Sequence, residues 1–377
     1  MPHNFYNSNA PVVSLERVEA IRNGMGHLFA VSDTSLDVPY RGAMRFRGRF
    51  LVDSADCYDE LRGIFETYGF TPFIREENGR LAIIAEPRVF EVEPSDWRIN
   101  AGLLIATIFA TLLTGAFYNA TTIDEAWHFW KGWPFALSIM LILGAHEMGH
   151  YIMARYHNVP VTLPYFIPLP ILSPIGTMGA VIRMKGPVKN KRALHDIGVA
   201  GPLAGLFFAI PILLYGLYTS DVGPISSEGL LEGNSLLYAG SKILIFGRFL
   251  PNGTEDVYLN QIAWAGWVGL LVTAMNLLPL GQLDGGHVTY TLFGKKRAQQ
   301  LFTPIIATLS GLALFSFLVD STFTWVLWIF MLFFLGRVHA EPLDDVTPLD
   351  PKRRWIAILT LIIFVLVFVP IPFKILG

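Results

Sequence analysis

Long stretches without a charged residue dominate this sequence and limit the folds that are open to it. Uncharged runs cover Ile99–Ile123, Ile197–Ser220, Tyr258–Leu283, Ala298–Val319, Ser321–Gly336 and Trp355–Phe373, and a further run begins at Gly132 and continues through a polar patch to about Tyr156. Most of them approach the roughly 20 residues that a helix needs to cross the hydrocarbon core of a bilayer. The sequence therefore predicts a mainly α-helical, polytopic membrane protein with about seven transmembrane helices.

Composition supports this interpretation and excludes several classes of protein. Charged residues make up 15% of the chain, whereas a soluble domain usually carries about 25%. The net charge is −2, and the chain lacks a basic domain, so we expect no nucleic-acid partner. Its single cysteine, Cys57, excludes an intramolecular disulfide framework and a thiolate zinc site.

Residues 1–97 predict a small soluble α/β domain with a regulatory role, followed by a membrane domain over 98–377 whose core is 133–287. Residues up to about 40 are expected to be irregular, apart from a short helix in VSLERVEAIRNGM. The segment AMRFRGRFLV alternates like a strand, and SADCYDELRGIFETYG predicts a helix with Ser54 as its N-cap. Two further strands are expected around a turn at Asn78 and Gly79.

The uncharged segment Val159–Ile182 does not fit a spanning helix. It contains five prolines, at positions 160, 164, 168, 170 and 174, and such a density is incompatible with regular helix. Non-helical backbone persists at membrane depth only where it is buried in protein or lines an aqueous cavity. We therefore expect a re-entrant or interfacial segment that ends in a hairpin near GTMGAVIRMK.

The distribution of charge between the loops predicts an orientation. Basic residues are concentrated in 183–192, 292–300 and 337–354, whereas 221–257 is acidic by comparison. Because basic loops are retained in the cytoplasm, the N-terminus is predicted to be cytoplasmic.

The motif HEMGH carries the strongest chemical signal, with His146, Glu147 and His150 in a predicted spanning helix. Residues four apart lie on one helix face, so the two imidazoles can share one zinc ion. Glu147 is then positioned to take a proton from zinc-activated water. Ionisable residues within a membrane are costly and usually functional; the alternative is a buried polar network that only holds helices together.

A catalytic zinc site needs a third protein ligand, and NLLPLGQLDGGHV supplies the best candidate, Asp284. Pro279 and Gly281 should break the helix and allow the chain to turn Asp284 back toward the histidines. His287 is a competing ligand, and LDGG is also compatible with an ordinary helix-terminating turn. We expect one zinc ion per chain.

Together, HEMGH and the later NLLPLGQLDGG resemble the site-2 protease family of intramembrane metalloproteases, whose pattern is HExxH followed by N-x-x-P-x-x-x-x-D-G. AGPLAG at 200–205 is similar to the intervening family helix, and the N-terminal domain with IGTMGAVIRMK resembles the subgroup of bacteria and plastids. The resemblance implies zinc on His146, His150 and Asp284, and Glu147 as general base. It also implies that Asn276 lies near the substrate or stabilises the oxyanion.

The implied function is that of a zinc metalloendopeptidase that hydrolyses peptide bonds within or near the transmembrane segments of other proteins. The hairpin, including Gly179, would hold the unwound substrate as an added strand, with a structural plug as the alternative. The chain would be a multi-pass membrane protein, in the cell membrane if its source is bacterial, with its active site toward the cytoplasm. The alternative functions are a membrane metal transporter and a catalytically silent scaffold.

Smaller features complete the sequence-based prediction. Gly201 and Gly205 are expected to permit close helix packing, and Gly149 to leave room beside the metal. His195 and Asp196 are interpreted as solvated interfacial residues without a catalytic role.

Overall fold

The computed structural model describes residues 13–118, 120, 122–170, 172–225, 229–320, 322, 324–335 and 341–376. The described chain forms two compact units. One holds the residues up to Glu93 together with Lys185–Leu194 and Glu341–Leu349, and the other holds the rest.

The first unit is an antiparallel sheet packed against two helices. Its elements are α1 (Leu15–Gly24), β1 (Phe29–Leu36), β2 (Met44–Phe50), α2 (Ser54–Thr67), β3 (Thr71–Glu77) and β4 (Arg80–Glu86), with the strand order β1-β2-β4-β3. Its buried core includes Ile21, Phe46, Leu61 and Phe65. The α/β character expected of the N-terminal region is thus confirmed.

Two details of the predicted N-terminal region are wrong. Residues 29–36 form β1 rather than irregular chain, because the strand is only partly buried and an irregularity between Val31 and Asp33 interrupts its alternation. The N-cap of α2 is Asp53 rather than Ser54, and its side chain accepts the backbone N–H of Ala55. The predicted turn is present, with positive φ at Asn78 and Gly79.

Segments distant in sequence extend this sheet beyond β3. The backbone N–H of Ile74 donates to the carbonyl oxygen of Leu343 at 2.8 Å, and the N–H of Asp344 donates to the carbonyl oxygen of Lys189 at 2.8 Å. These bonds cover an edge that would otherwise expose unpaired peptide groups. The segments 188–190 and 343–345 therefore belong to the same folded unit as the N-terminal sheet.

The second unit is mostly helical. Its helices are α3 (Trp97–Tyr118), α4 (Ile123–Ala126), α5 (Trp133–Tyr156), α6 (Lys191–Tyr218, whose first turn lies in the first unit), α7 (Leu236–Phe246), α8 (Gln261–Asn276), α9 (Asp284–Phe293), α10 (Lys295–Gln300), α11 (Phe302–Asp320), α12 (Thr324–Leu335) and α13 (Pro351–Val367). A short 3-10 helix, Phe129–Gly132, precedes α5.

Four helical stretches among the described residues are long and apolar enough to cross a membrane: Trp97–Tyr118, Phe129–Tyr156, Lys191–Tyr218 and Lys295–Val319. The membrane character predicted from the uncharged runs agrees with them, whereas the predicted total of seven spans exceeds them. The other three predicted spans correspond to α8, α12 and α13, which have 16, 12 and 17 residues.

The described part of this unit also contains three antiparallel strand pairs: β5 (Tyr165–Pro168) with β6 (Thr177–Val181), β7 (Asp221–Pro224) with β9 (Glu255–Tyr258), and β8 (Gly229–Glu232) with β10 (Phe373–Leu376). The pair β5–β6 is the hairpin expected from the proline-rich segment. The main core of the unit includes Ile142, Leu213, Trp267 and Leu270.

Candidate active site

Helix α5 places the side chains of the HEMGH motif in the interior of the second unit. His146, Glu147 and His150 are 5%, 6% and 7% exposed, respectively. His146 and His150 lie one turn apart, and their Nε2 atoms are separated by 3.1 Å. The helical spacing alone therefore brings the two imidazoles to one point.

A break between α8 and α9 carries Asp284 to that point. Helix α8 ends at Asn276, the chain turns through Pro279 and Gly281, and α9 begins at Asp284. Residues 285 and 286 must be glycine here, because a Cβ atom at Gly285 would lie 1.9 Å from the carbonyl oxygen of Leu277 and one at Gly286 would lie 2.4 Å from the carbonyl oxygen of Gly281. The LDGG sequence thus starts a helix instead of ending one, and lets it pack closely against the turn.

The three candidate ligands form a small triangle. Oδ2 of Asp284 lies 3.3 Å from Nε2 of His146 and 3.3 Å from Nε2 of His150. Zinc–nitrogen and zinc–oxygen bonds of about 2.0–2.2 Å in tetrahedral geometry place neighbouring ligand atoms about 3.3–3.5 Å apart. The two 3.3 Å separations match this spacing and the 3.1 Å separation of the two Nε2 atoms is slightly shorter, so the donor set fits a zinc ion. His287 lines the same cavity but does not belong to this cluster.

A cavity of about 350 Å³ opens beside the triangle and brings the other predicted residues to it. Its wall includes Glu147, Asn276 and the β6 end of the hairpin, Ala180–Ile182. The side-chain amide of Asn276 lies 3.4 Å from Nε2 of His146. Ile182 and Glu147 line the same cavity.

Gly179 lies where the pairing of β6 with β5 shifts register, a bulge-like irregularity that bends the strand, and it does not line the cavity. Its φ is +100°, a conformation that favours glycine. Its backbone N–H donates to Oγ1 of Thr177 at 3.0 Å, so this donor is already used within the hairpin.

The immediate support of His150 comes from helix α6. Nδ1 of His150 donates to the carbonyl oxygen of Ile197 at 2.8 Å, which leaves Nε2 free to bind a metal. Gly201 lies against the same imidazole, since a Cβ atom there would be 2.1 Å from Nε2 of His150.

Gly149 has a different role from the one predicted, whereas Gly201 and Gly205 permit close helix packing as expected. A Cβ atom at Gly149 would lie 2.5 Å from the carbonyl oxygen of Ala200, so Gly149 admits the neighbouring helix rather than the metal. Gly201 and Gly205 let α6 pack closely against α5, and the α5 side chains that they contact are those of His150 and His146. Sequence spacing could not assign these faces, because both patterns fit close packing of α5 and α6.

A partly buried ion-pair cluster lies beyond Ile197, and the sequence did not predict it. Arg353 donates through Nε and Nη2 to the two carboxylate oxygens of Asp196 at 2.8 and 2.6 Å. Nε2 of His157 also contacts Asp196, at 2.8 Å, and His195 is fully buried beside it. His195 is therefore not solvated, and Asp196, which is only partly exposed, connects α5, α6 and α13 through these contacts.

Comparisons with known proteins find similar sequences that carry peptidase names. The sequence profile of peptidase family M50 matches residues 134–318. "Probable zinc metalloprotease EGY2, chloroplastic" of Arabidopsis thaliana is 30% identical over 361 residues, which is 90% of this chain and 62% of that protein. "Probable zinc metalloprotease EGY1, chloroplastic" of Oryza sativa subsp. japonica is 32% identical over 244 residues, which is 63% of this chain and 40% of that protein.

A third relative, "Probable zinc metallopeptidase EGY3, chloroplastic" of Arabidopsis thaliana, is 27% identical over 290 residues, covering 72% of this chain and 48% of that protein. The chain thus spans less than two thirds of the length of each of these relatives. All three carry metallopeptidase names, which gives no support to the transporter and scaffold alternatives.

Proposed function

Because this chain belongs to the site-2 protease family, we propose that it is a zinc metalloendopeptidase that hydrolyses peptide bonds within or near the transmembrane segments of membrane proteins. The observation that carries the proposal is the triangle of His146, His150 and Asp284, with ligand atoms 3.1–3.3 Å apart and Glu147 in the same cavity. The three residues of the triangle would hold the ion, and Glu147 would act as general base.

The chemistry divides between the ion and the side chains around it. A bound zinc ion supplies Lewis acidity, which lowers the pKa of water and polarises the scissile carbonyl. Glu147 accepts the proton of the attacking water and passes it to the leaving amine. Asn276 is close enough to His146 to orient the carbonyl of the substrate or to stabilise the oxyanion.

Strand β6 of the hairpin is proposed to bind the substrate. Ala180–Ile182 line the cavity beside Glu147, so an unwound peptide could pair with β6 within reach of the general base. Gly179 would act through the bend that aligns β6, because its N–H is bound to Thr177.

We further propose seven membrane spans: α3, α5, α6, α8, α11, α12 and α13. The last two of the basic loops, 292–300 and 337–354, flank the segment that contains α11 and α12. With a cytoplasmic N-terminus, both histidines and Asp284 lie near the cytoplasmic ends of their segments. Labelling of single cysteines from outside should reach position 254 and not position 183; the reverse pattern would overturn the orientation.

The first unit is proposed to be regulatory. Residues 185–194 belong to it, yet they continue in sequence from β6 and into α6, which carries the Ile197 carbonyl bound to His150. A ligand or protein that alters the extended sheet could therefore shift both the substrate strand and the support of His150.

Paired measurements of zinc and proteolysis test the proposed function. Glu147→Gln should retain zinc and lose cleavage of a single-span membrane substrate, because Glu147 is not a ligand. His146→Ala should lose both zinc and cleavage. Near-normal cleavage by Glu147→Gln would remove Glu147 as the base, and full zinc retention by His146→Ala would refute the metal site.

A further inference from the structure

A second cavity shares no lining residue with the cavity beside the metal triangle. It has a volume of about 480 Å³ and is bounded by α3, α5 and the first part of the hairpin, including Leu163 and Phe166. Asn100, whose amide donates to the carbonyl oxygens of Leu163 and Pro164, is the polar residue in an otherwise apolar lining. The cavity is therefore a groove suited to an apolar occupant.

The two helical walls of the groove carry the same spacing. On α3 the lining residues are Trp97, Asn100, Ala101, Leu104 and Ile108. On α5 they are Leu137, Met140, Leu141, Gly144 and Met148. Both sets follow the positions i, i+3, i+4, i+7 and i+11, which is the stripe that one helix presents to another. Over about 16 Å of helix, each wall thus offers a face suited to a third helix.

Small residues at the middle of both walls favour a helix over a lipid chain. Ala101 and Gly144 reduce the bulk of α3 and α5 where they line the groove, and small residues let helix backbones approach closely in membranes. A Cβ atom at Gly144 would meet no atom within 4 Å, so this glycine faces open space and is not required by packing within the protein.

The groove is continuous with the candidate active site through two elements. Met148, at its end, directly follows Glu147 in α5. Phe166, in its floor, pairs with Ala180 of β6, and Ala180 lines the metal cavity. A helix in the groove would therefore place one end beside the strand and the base that are proposed to receive the unwound peptide.

We propose that this groove is the docking site for the intact transmembrane helix of the substrate before unwinding. The proposal rests on the proposed proteolytic function for the identity of the occupant. Docking uses the face of α3 and α5, and cleavage uses the triangle and Glu147, so binding and chemistry can be tested separately.

Photocrosslinking tests docking without any requirement for cleavage. In a Glu147→Gln background, benzoylphenylalanine replaces Leu141 in the groove or Ile105 on another face of α3, and the protein is reconstituted in phosphatidylcholine vesicles with a single-span Leu/Ala helix as probe. Ile105 is 68% exposed and Leu141 44% exposed, so non-specific contact would label at least as strongly from position 105. We expect the adduct to form mainly from position 141. Equal labelling, or lipid adducts alone, would overturn the proposal.

Filling the groove tests its use in catalysis. Gly144→Leu should lower cleavage of a spanning substrate about tenfold or more, as expected when an inserted side chain occupies a packed interface. Cleavage of a short soluble peptide with the same scissile sequence should be retained, with normal zinc content. Gly102→Leu is the matched control, because a Cβ atom there also meets nothing and Gly102 does not line the groove.

The outcomes separate this proposal from the proposed function. Wild-type protein that cleaves neither substrate would argue against proteolysis, while crosslinking would still decide whether the groove binds a helix. Unchanged cleavage of the spanning substrate by Gly144→Leu would overturn the groove as a productive docking site.

Discussion

Nδ1 of His150 lies 2.8 Å from the carbonyl oxygen of Ile197. Since a carbonyl can only accept, the Nδ1–H donates, and the lone pair of Nε2 faces His146 and Asp284. Groups that orient a metal-binding histidine in this way typically contribute about 10–100-fold in metal affinity. Helix α6 therefore helps to define the site although it supplies none of the proposed ligands.

Gly201→Ala should displace the imidazole of His150, because the added methyl group would lie 2.1 Å from Nε2. We expect reduced zinc content and loss of proteolysis, measured by metal analysis and by cleavage of a single-span substrate. Gly205→Ala is a matched control one turn away, where the methyl group would lie 3.3 Å from His146 and should have a smaller effect. Normal zinc and activity in Gly201→Ala would contradict the contact.

Asp284→Asn and His287→Gln distinguish the two candidate third ligands. Both side chains line the cavity, but Oδ2 of Asp284 lies 3.3 Å from each Nε2 atom. Loss of a residue that only orients a metal ligand typically weakens metal binding by about 10–100-fold. We expect Asp284→Asn to weaken zinc binding by more than this, and His287→Gln to retain zinc. Competition with a chelator of known affinity measures both. The opposite ranking would make His287 the ligand.

The sequence was sufficient to predict the side chains of the motif but not the groups that hold them in position. Helical spacing explains His146 and His150, and Pro279 and Gly281 explain how Asp284 returns to them. The carbonyl of Ile197 could not be predicted, since every residue has one and only tertiary packing selects it. Likewise, Asp196 and Arg353 are 157 residues apart, and no local pattern connects them. The number of membrane spans was harder still to predict, because α8, α12 and α13 have 16, 12 and 17 residues and are shorter than the roughly 20 residues of a full span.

Gly179→Pro should lower cleavage of membrane substrates about tenfold or more while zinc content stays normal. Proline imposes a φ of about −65°, whereas Gly179 has a φ of +100° and donates its N–H to Thr177. The hairpin would lose the bend that aligns β6. Gly179→Ala keeps the donor and adds only backbone strain of about 1–3 kcal/mol, so its effect should be smaller. Unimpaired cleavage by folded Gly179→Pro would count against the hairpin as the substrate strand.

The segment between α6 and α8 contains a buried cation. Nζ of Lys242 lies 3.5 Å from Asp256 and 3.7 Å from Glu232, and the side chain is fully buried. The ammonium group also lies 4.4 Å from the ring centre of Tyr238. Burial raises the pKa of Glu232, and the charge of Lys242 partly offsets that rise. Removing the cation would leave the buried carboxylates of Glu232 and Asp256 without the positive charge of Lys242 beside them.

Lys242→Met should therefore lower the free energy of unfolding by about 3–5 kcal/mol, the usual cost of breaking a buried ion pair from one side. A folded-state pKa above the unfolded value favours folding at low pH, so the deficit should shrink as the pH falls and Glu232 takes up a proton. Thermal unfolding in detergent over a series of pH values measures this. Lys131→Met, at an exposed lysine, is the control and should change little. A deficit that grows on acidification would show that Lys242 does not stabilise the ionised form of Glu232.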